Sequence, residues 1–91
     1  LMEKDNRPYF AAAMYYIESG KDMNQALSWL DKATAANPDA FWVFYQKARV
    51  LAKLGRKKEA LETSSKSVEL AKAAKNDDYV ALNMKLQSEL K

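Results

Sequence analysis

Apolar residues recur along this chain at intervals of three and four, in five blocks separated by short polar or glycine-containing breaks. In the first block Tyr9, Ala12, Ala13 and Tyr16 are spaced i, i+3, i+4, i+7, which predicts a helix over about Pro8 to Ser19 stopped by Gly20. Asp22-Met23-Asn24-Gln25 has the form of a capping box, the Asp22 carboxylate accepting from the Gln25 amide and the Gln25 side chain reaching back. It opens a second helix to about Ala36, with Ala26, Leu30 and Ala33 facing inward and Trp29 beside them. Asn37-Pro38-Asp39 supplies a cap and a proline at a first helical position, so a third helix is expected to start there. Its apolar face is Phe41, Phe44, Ala48, Leu51 and Leu54, and it ends at Gly55. A fourth helix is expected from about Lys57 to Ala74 or Lys75, burying Ala60, Leu61, Ser64, Ser67, Val68 and Ala71. Asn76-Asp77-Asp78 caps a fifth that presents Tyr79, Leu82, Asn83, Leu86 and Leu90. No segment alternates with period two, so the fold class is all-α.

The blocks repeat. Ala60 lies 34 residues after Ala26, Leu61 34 after Leu27, and Gly55 follows Gly20 with one residue of slippage. A period of 34 residues is that of a helix pair that cannot bury its apolar face alone and stacks on its neighbours. Through Phe44, Ala48, Leu51, Gly55, Ala60 and Leu70 the second unit resembles a tetratricopeptide repeat (TPR). Tyr9, Ala13, Tyr16, Gly20, Ala26, Ala33 and Pro38 carry the same resemblance in the first. It implies two TPR-like antiparallel helix pairs plus a C-terminal capping helix, a short right-handed α-solenoid. Repeat 1 would span about 7–38, repeat 2 about 39–75 and the capping helix about 77–90. Small residues at Ala13, Ala26, Ala48 and Ala60 let paired helices approach closely in that family. The pattern departs from the family at Lys47, which replaces an apolar residue, and at Ser64 and Ser67, where an aromatic and an alanine are usual.

A narrower likeness runs through Ala40-Phe41-Trp42-Val43, Lys53-Leu54-Gly55 and Ser67 to Val80. These segments are similar to the C-terminal TPR region of uncharacterised exported bacterial proteins, where it follows a β-rich domain. The likeness implies an exported or periplasmic setting, and the opening Leu1-Met2 is what an excised piece of a longer protein would show.

Length and composition fit this reading. A chain of 91 residues, 48% hydrophobic, supports one modest core. A domain of this size buries only about 60 to 65% of the surface its unfolded chain exposes, so a second copy or another domain of the same chain is a natural stabiliser. No apolar run approaches the roughly 20 residues a membrane-spanning helix needs.

In TPR stacks the first helix of each pair lines a concave face on which extended peptides lie. By that resemblance the protein-binding face is Phe10, Met14 and Ile17 from the first unit and Trp42, Tyr45, Arg49 and Lys53 from the second. Aromatics with arginine are the residues that dominate binding energy at interfaces. The alternative for the same residues is ordinary core, with the fifth helix or another domain covering them. The carboxylate-gripping lysines and asparagines of the chaperone-binding subclass are replaced by Phe10 and Met14. Recognition would then rest on apolar and aromatic contact, with Arg49 and Lys53 available for an acidic residue. The expected partner is a protein or peptide, another domain of the chain, or a second copy, and no cofactor is implied.

Charge and chemistry alter this little. Basic residues gather at Lys47, Arg49, Lys53, Arg56, Lys57 and Lys58, but the net charge is only +3 and Asp31, Glu59 and Glu62 are interspersed. A solvated helix end accounts for them better than a nucleic-acid surface. With no histidine, no cysteine and no glycine-rich phosphate loop, the sequence offers no catalytic constellation. Asp77-Asp78 reads as helix capping and not as a cation site.

Overall fold

The computed structural model describes the backbone of residues 7–90 and the side chains of residues 11–90. Five helices follow one another: α1 (Arg7–Ser19), α2 (Met23–Ala36), α3 (Phe41–Lys53), α4 (Lys57–Ala73) and α5 (Asp77–Leu90), with no strand among the described residues. Consecutive helices pack on each other, and α3 also touches α1 and α5, so the odd-numbered helices form one layer and α2 and α4 back it.

Local chemistry sets the breaks. The Asp22 carboxylate accepts from Asn24 at 2.9 Å and Gln25 at 3.3 Å, which is the forward half of the capping box; the Gln25 side chain does not return the bond. Three helices end alike. The amides of Lys21, Arg56 and Asn76 donate to Tyr16, Leu51 and Ala71 at 3.0, 2.9 and 2.8 Å, the six-to-one bond of a Schellman turn. That turn requires one left-handed residue, supplied by Gly20 (φ 69°) and Gly55 (φ 80°), but by Lys75 (φ 60°) after α4. Asn76 then caps α5, its Oδ1 accepting from the Tyr79 amide at 3.1 Å.

The third helix starts later than the proline suggests. Pro38 and Asp39 form a turn closed by the Ala40 amide on the Asn37 carbonyl at 3.1 Å, and α3 begins at Phe41. Asn37 is still engaged in closing α2, donating to Ala33 at 2.9 Å, so the chain reverses direction before it can coil again. The reversal inserts Ala40, fully buried, into the core.

The core runs through the first four helices, with Ile17, Leu27, Leu30, Val43, Val50 and Leu51 as its larger members. Burying a side chain such as Leu30 stabilises by about 1.5 to 3 kcal/mol. Ala13, Ala26, Ala48 and Ala60 are all fully buried, the small residues at which the paired helices meet. The face of α3 is rotated and widened relative to its expected stripe. Val43, Gln46 and Val50 are buried while Phe41 and Phe44 are only half-buried, because α3 is packed on several sides.

The junction between α4 and α5 is different in kind. Asn83 is the one buried residue of α5, and around it Ser64 Oγ donates to Asn83 Oδ1 at 2.9 Å. Asn83 Nδ2 donates to Ser67 Oγ at 2.9 Å and to the Tyr79 carbonyl at 2.8 Å. Ser67 Oγ donates to the Phe41 carbonyl at 2.7 Å, and Gln87 Nε2 donates to Ser64 Oγ at 3.1 Å. Every member of this network has a partner, as buried polar groups require. The two serines that depart from the repeat pattern therefore meet the asparagine of the capping helix.

Candidate functional site

The side chains of α3 that turn away from the core face α5 across a shallow groove. Aromatic rings form one end: Tyr79 lies edge-on to Phe41 at 5.3 Å and to Tyr45 at 5.7 Å, and Trp42 lies edge-on to Phe41 at 4.9 Å. Such pairs contribute roughly 0.5 to 1.5 kcal/mol beyond their area and fix the spacing of the two helices.

Beyond the rings the groove opens in two connected hollows. One, of ≈ 200 Å³, is lined by Tyr45, Arg49, Leu82, Lys85, Leu86 and Glu89. The other, of ≈ 320 Å³, is lined by Arg49, Ala52, Lys53, Leu86 and Glu89. Arg49 stands between them, held by a 2.8 Å hydrogen bond from Nη1 to Oε1 of the buried Gln46. Arg49, Lys53 and Lys85 against Glu89 leave the groove mildly positive over an apolar floor of Leu82 and Leu86.

The expected face is thus divided. Tyr45, Arg49 and Lys53 come together in the groove, and Trp42, 37% exposed, stands beyond its aromatic end. Ile17 is a core residue, 6% exposed, so the surface open to a partner does not include it. It lies four residues after the fully buried Ala13 and so shares the inward edge of α1. Met14 is half-buried against the same core. The side chain of Phe10 lies outside the described residues.

The expected face contains no residue of α5, yet the sequence carries a signal for its contribution to this groove. Leu82, Lys85, Leu86 and Glu89 are spaced i, i+3, i+4, i+7 and so share one strip of the helix. The apolar stripe expected of α5 places Leu82 and Leu86 inward, whereas Leu82 is 40% exposed.

On the edge formed by α2, α3 and α4 two members of the basic cluster are paired. Lys47 Nζ reaches Asp31 Oδ1 at 2.9 Å, which explains how a charge is accommodated where an apolar residue is usual. Arg56 forms a two-point bond to Glu59, Nε to Oε2 at 2.6 Å and Nη2 to Oε1 at 2.8 Å. That hydrogen bonding holds the Glu59 carboxyl below the ordinary glutamate range and raises the guanidinium of Arg56.

The stacked pairs and capping helix define an α-helical repeat protein. Residues 43–73, a segment of the α3–α4 pair, match the family model of the tetratricopeptide repeat. The whole chain has the fold of TPR domains. It is similar to the solution structure of a tetratricopeptide repeat domain protein from Salinibacter ruber, with a TM-score of 0.85 and 15% identity over 100% of this chain and 91% of that one. A crystal structure of a tetratricopeptide repeat domain protein from the same organism gives 0.83 and 16% identity over 94% and 96%. No curated protein matches the chain in sequence.

Proposed function

We propose that the chain is a protein-interaction module whose binding surface is the groove between α3 and α5, with Trp42 at its rim. TPR folds generally mediate contacts between proteins. The observation that carries the specific reading is the convergence of Tyr45, Arg49 and Lys53 with Leu82, Lys85 and Leu86 on one open groove. A fully desolvated aromatic or arginine contact ringed by apolar side chains is the arrangement that concentrates binding energy. The favoured ligand is an extended segment with an aliphatic residue for the Leu82–Leu86 floor and an acidic residue for Arg49. Arginine suits that role because its planar fork meets a carboxylate at two points. Catalysis has no part in this reading.

Screening a displayed peptide library against the purified chain tests it. Enriched peptides should carry an acidic residue next to an aliphatic one. Arg49→Glu and Lys85→Glu should each weaken them at least tenfold while leaving the thermal melt within a few degrees. Trp42→Ala should also weaken binding without unfolding the chain. Peptides that bind equally well to the charge-reversed variants would place recognition elsewhere, and failure to enrich any sequence would count against the module itself.

A second reading is favoured by Met84, 57% exposed on the side of α5 away from its neighbours. In it the chain is a structural appendage that packs on another domain of the same polypeptide. On that reading the repeats span about 7–38 and 39–75 and end in the capping helix. A Met84→Glu substitution that disrupts packing in a longer polypeptide but leaves peptide binding intact would separate the two.

A further inference from the structure

The turn between α4 and α5 departs from the others in a way that bears on how α5 is seated. At the two preceding Schellman turns the left-handed residue is glycine, whereas here it is Lys75 at φ 60°. A side chain in that region is strained, and the hinge Ala74-Lys75-Asn76 contains neither glycine nor proline to forbid an ordinary helix. Ala73, Ala74 and Lys75 are all good helix formers. If the hinge coils, α4 and α5 become one helix over residues 57–90, about 51 Å long at 1.5 Å per residue. The longest dimension of the molecule is 37 Å, so a helix of that length carries α5 off its own platform.

What α5 leaves behind is a specific seat. It is formed by Ser64, Ser67 and the Phe41 carbonyl, with the aromatic faces of Phe41 and Tyr45, and it fits Asn83 and Tyr79. Vacating it takes the Asn83 amide from both serines, and only a helix with an asparagine at that place restores both bonds as it buries the seat. A second copy of this chain supplies one.

We propose that α5 exchanges between two copies of the chain, each inserting its Asn83 between Ser64 and Ser67 of the other, with α4 and α5 fused through a coiled hinge. Exchange of an identical element reproduces every native contact, and a short strained hinge promotes it. Two features oppose it in each monomer, the Asn76 cap on Tyr79 and the acidic first turn of Asp77 and Asp78, which favours a free helix start. The balance is therefore set by concentration. In the dimer each groove is built from α3 of one copy and Leu82, Lys85 and Leu86 of the other. The inference concerns the seating of α5 and stands whether or not the groove takes a peptide.

The chain is refolded from denaturant across micromolar to millimolar concentrations and its mass measured by light scattering after size exclusion. A dimer should appear at the upper end and dissociate slowly on dilution. Lys75→Gly removes the strain and disfavours the coiled hinge, by about thirtyfold per hinge and roughly a thousandfold in the dimer dissociation constant. Asn76→Ala removes the cap and should shift the equilibrium towards dimer, by about fivefold per hinge. Dimers mixed from isotopically distinct copies should show contacts between Ser64 of one and Asn83 of the other. Parent and Asn76→Ala chains that stay monomeric at every concentration would overturn the proposal. So would a dimer whose population is unchanged by Lys75→Gly, because that dimer forms through another surface.

Discussion

Replacing Asn83 by alanine removes three hydrogen bonds at once, from Ser64, to Ser67 and to the Tyr79 carbonyl. Each contributes about 0.5 to 1.5 kcal/mol net when water can replace it, and more where a buried partner is left alone. Ser67 keeps its bond to the Phe41 carbonyl, but Ser64 loses its short acceptor and sees only the Asn83 carbonyl at 3.5 Å. The expected loss is about 2 to 4 kcal/mol, a large share of the roughly 5 to 14 kcal/mol available to a domain of this length. At about 4 to 8 °C per kcal/mol the melting temperature should fall by roughly 8 to 32 °C. Urea denaturation followed by circular dichroism at micromolar concentration measures it directly. The companion Ser64→Ala, Ser67→Ala, Asn83→Leu, Gln87→Leu variant should recover most of the loss, since every side chain of the network is then apolar and none is left without its partner. An Asn83→Ala chain within about 0.5 kcal/mol of the parent would refute the claim that this network seats α5.

Other substitutions probe the turns, the helix approach and the surface charges. Lys75→Gly should raise stability by about 1 kcal/mol, seen as a melting temperature higher by roughly 4 to 8 °C, whereas Gly55→Ala should lower it by a similar amount. Gly55 has open space around it, so the cost there is backbone conformation alone. Ala60→Leu, at a fully buried contact, should destabilise by about 1 to 3 kcal/mol through overpacking, and an unchanged melt would remove the close-approach argument. Because Arg56 holds the Glu59 carboxyl below its ordinary range, the pair's contribution is present above the ordinary glutamate pKa and lost as pH falls through the depressed value. Carboxyl NMR titration should show that low midpoint, and Arg56→Gln should return it to normal.

The five helices were legible because their boundaries are written in local chemistry: glycine at Gly20 and Gly55, carboxylate and amide caps at Asp22 and Asn76. The start of α3 differs from the sequence expectation for a physical reason. Proline suits a first helical turn, but Pro38 follows an asparagine still closing α2, and the reversal of the chain took precedence. A stripe argument assumes one buried side, so it understated α3, where Val43 and Val50 are buried as well as Ala48 and Leu51. Ser64 and Ser67 stood out as departures from the repeat and Asn83 lay on the inward stripe of α5. Their meeting across 19 and 16 residues is a tertiary fact that no spacing rule contains. The binding face was partly visible for the same reason. Tyr45, Arg49 and Lys53 lie on one strip of α3, while the opposing strip of α5 depends on where that helix docks.

The most direct measurement is amide chemical-shift mapping of the labelled chain during titration with a peptide selected on it. Shifts should concentrate on residues 45–53 and 82–89, with Arg49→Glu abolishing them at equal concentration. Shifts confined to the outer surfaces of α2 and α4, or unchanged by Arg49→Glu, would contradict the assignment of the α3–α5 groove as the binding surface.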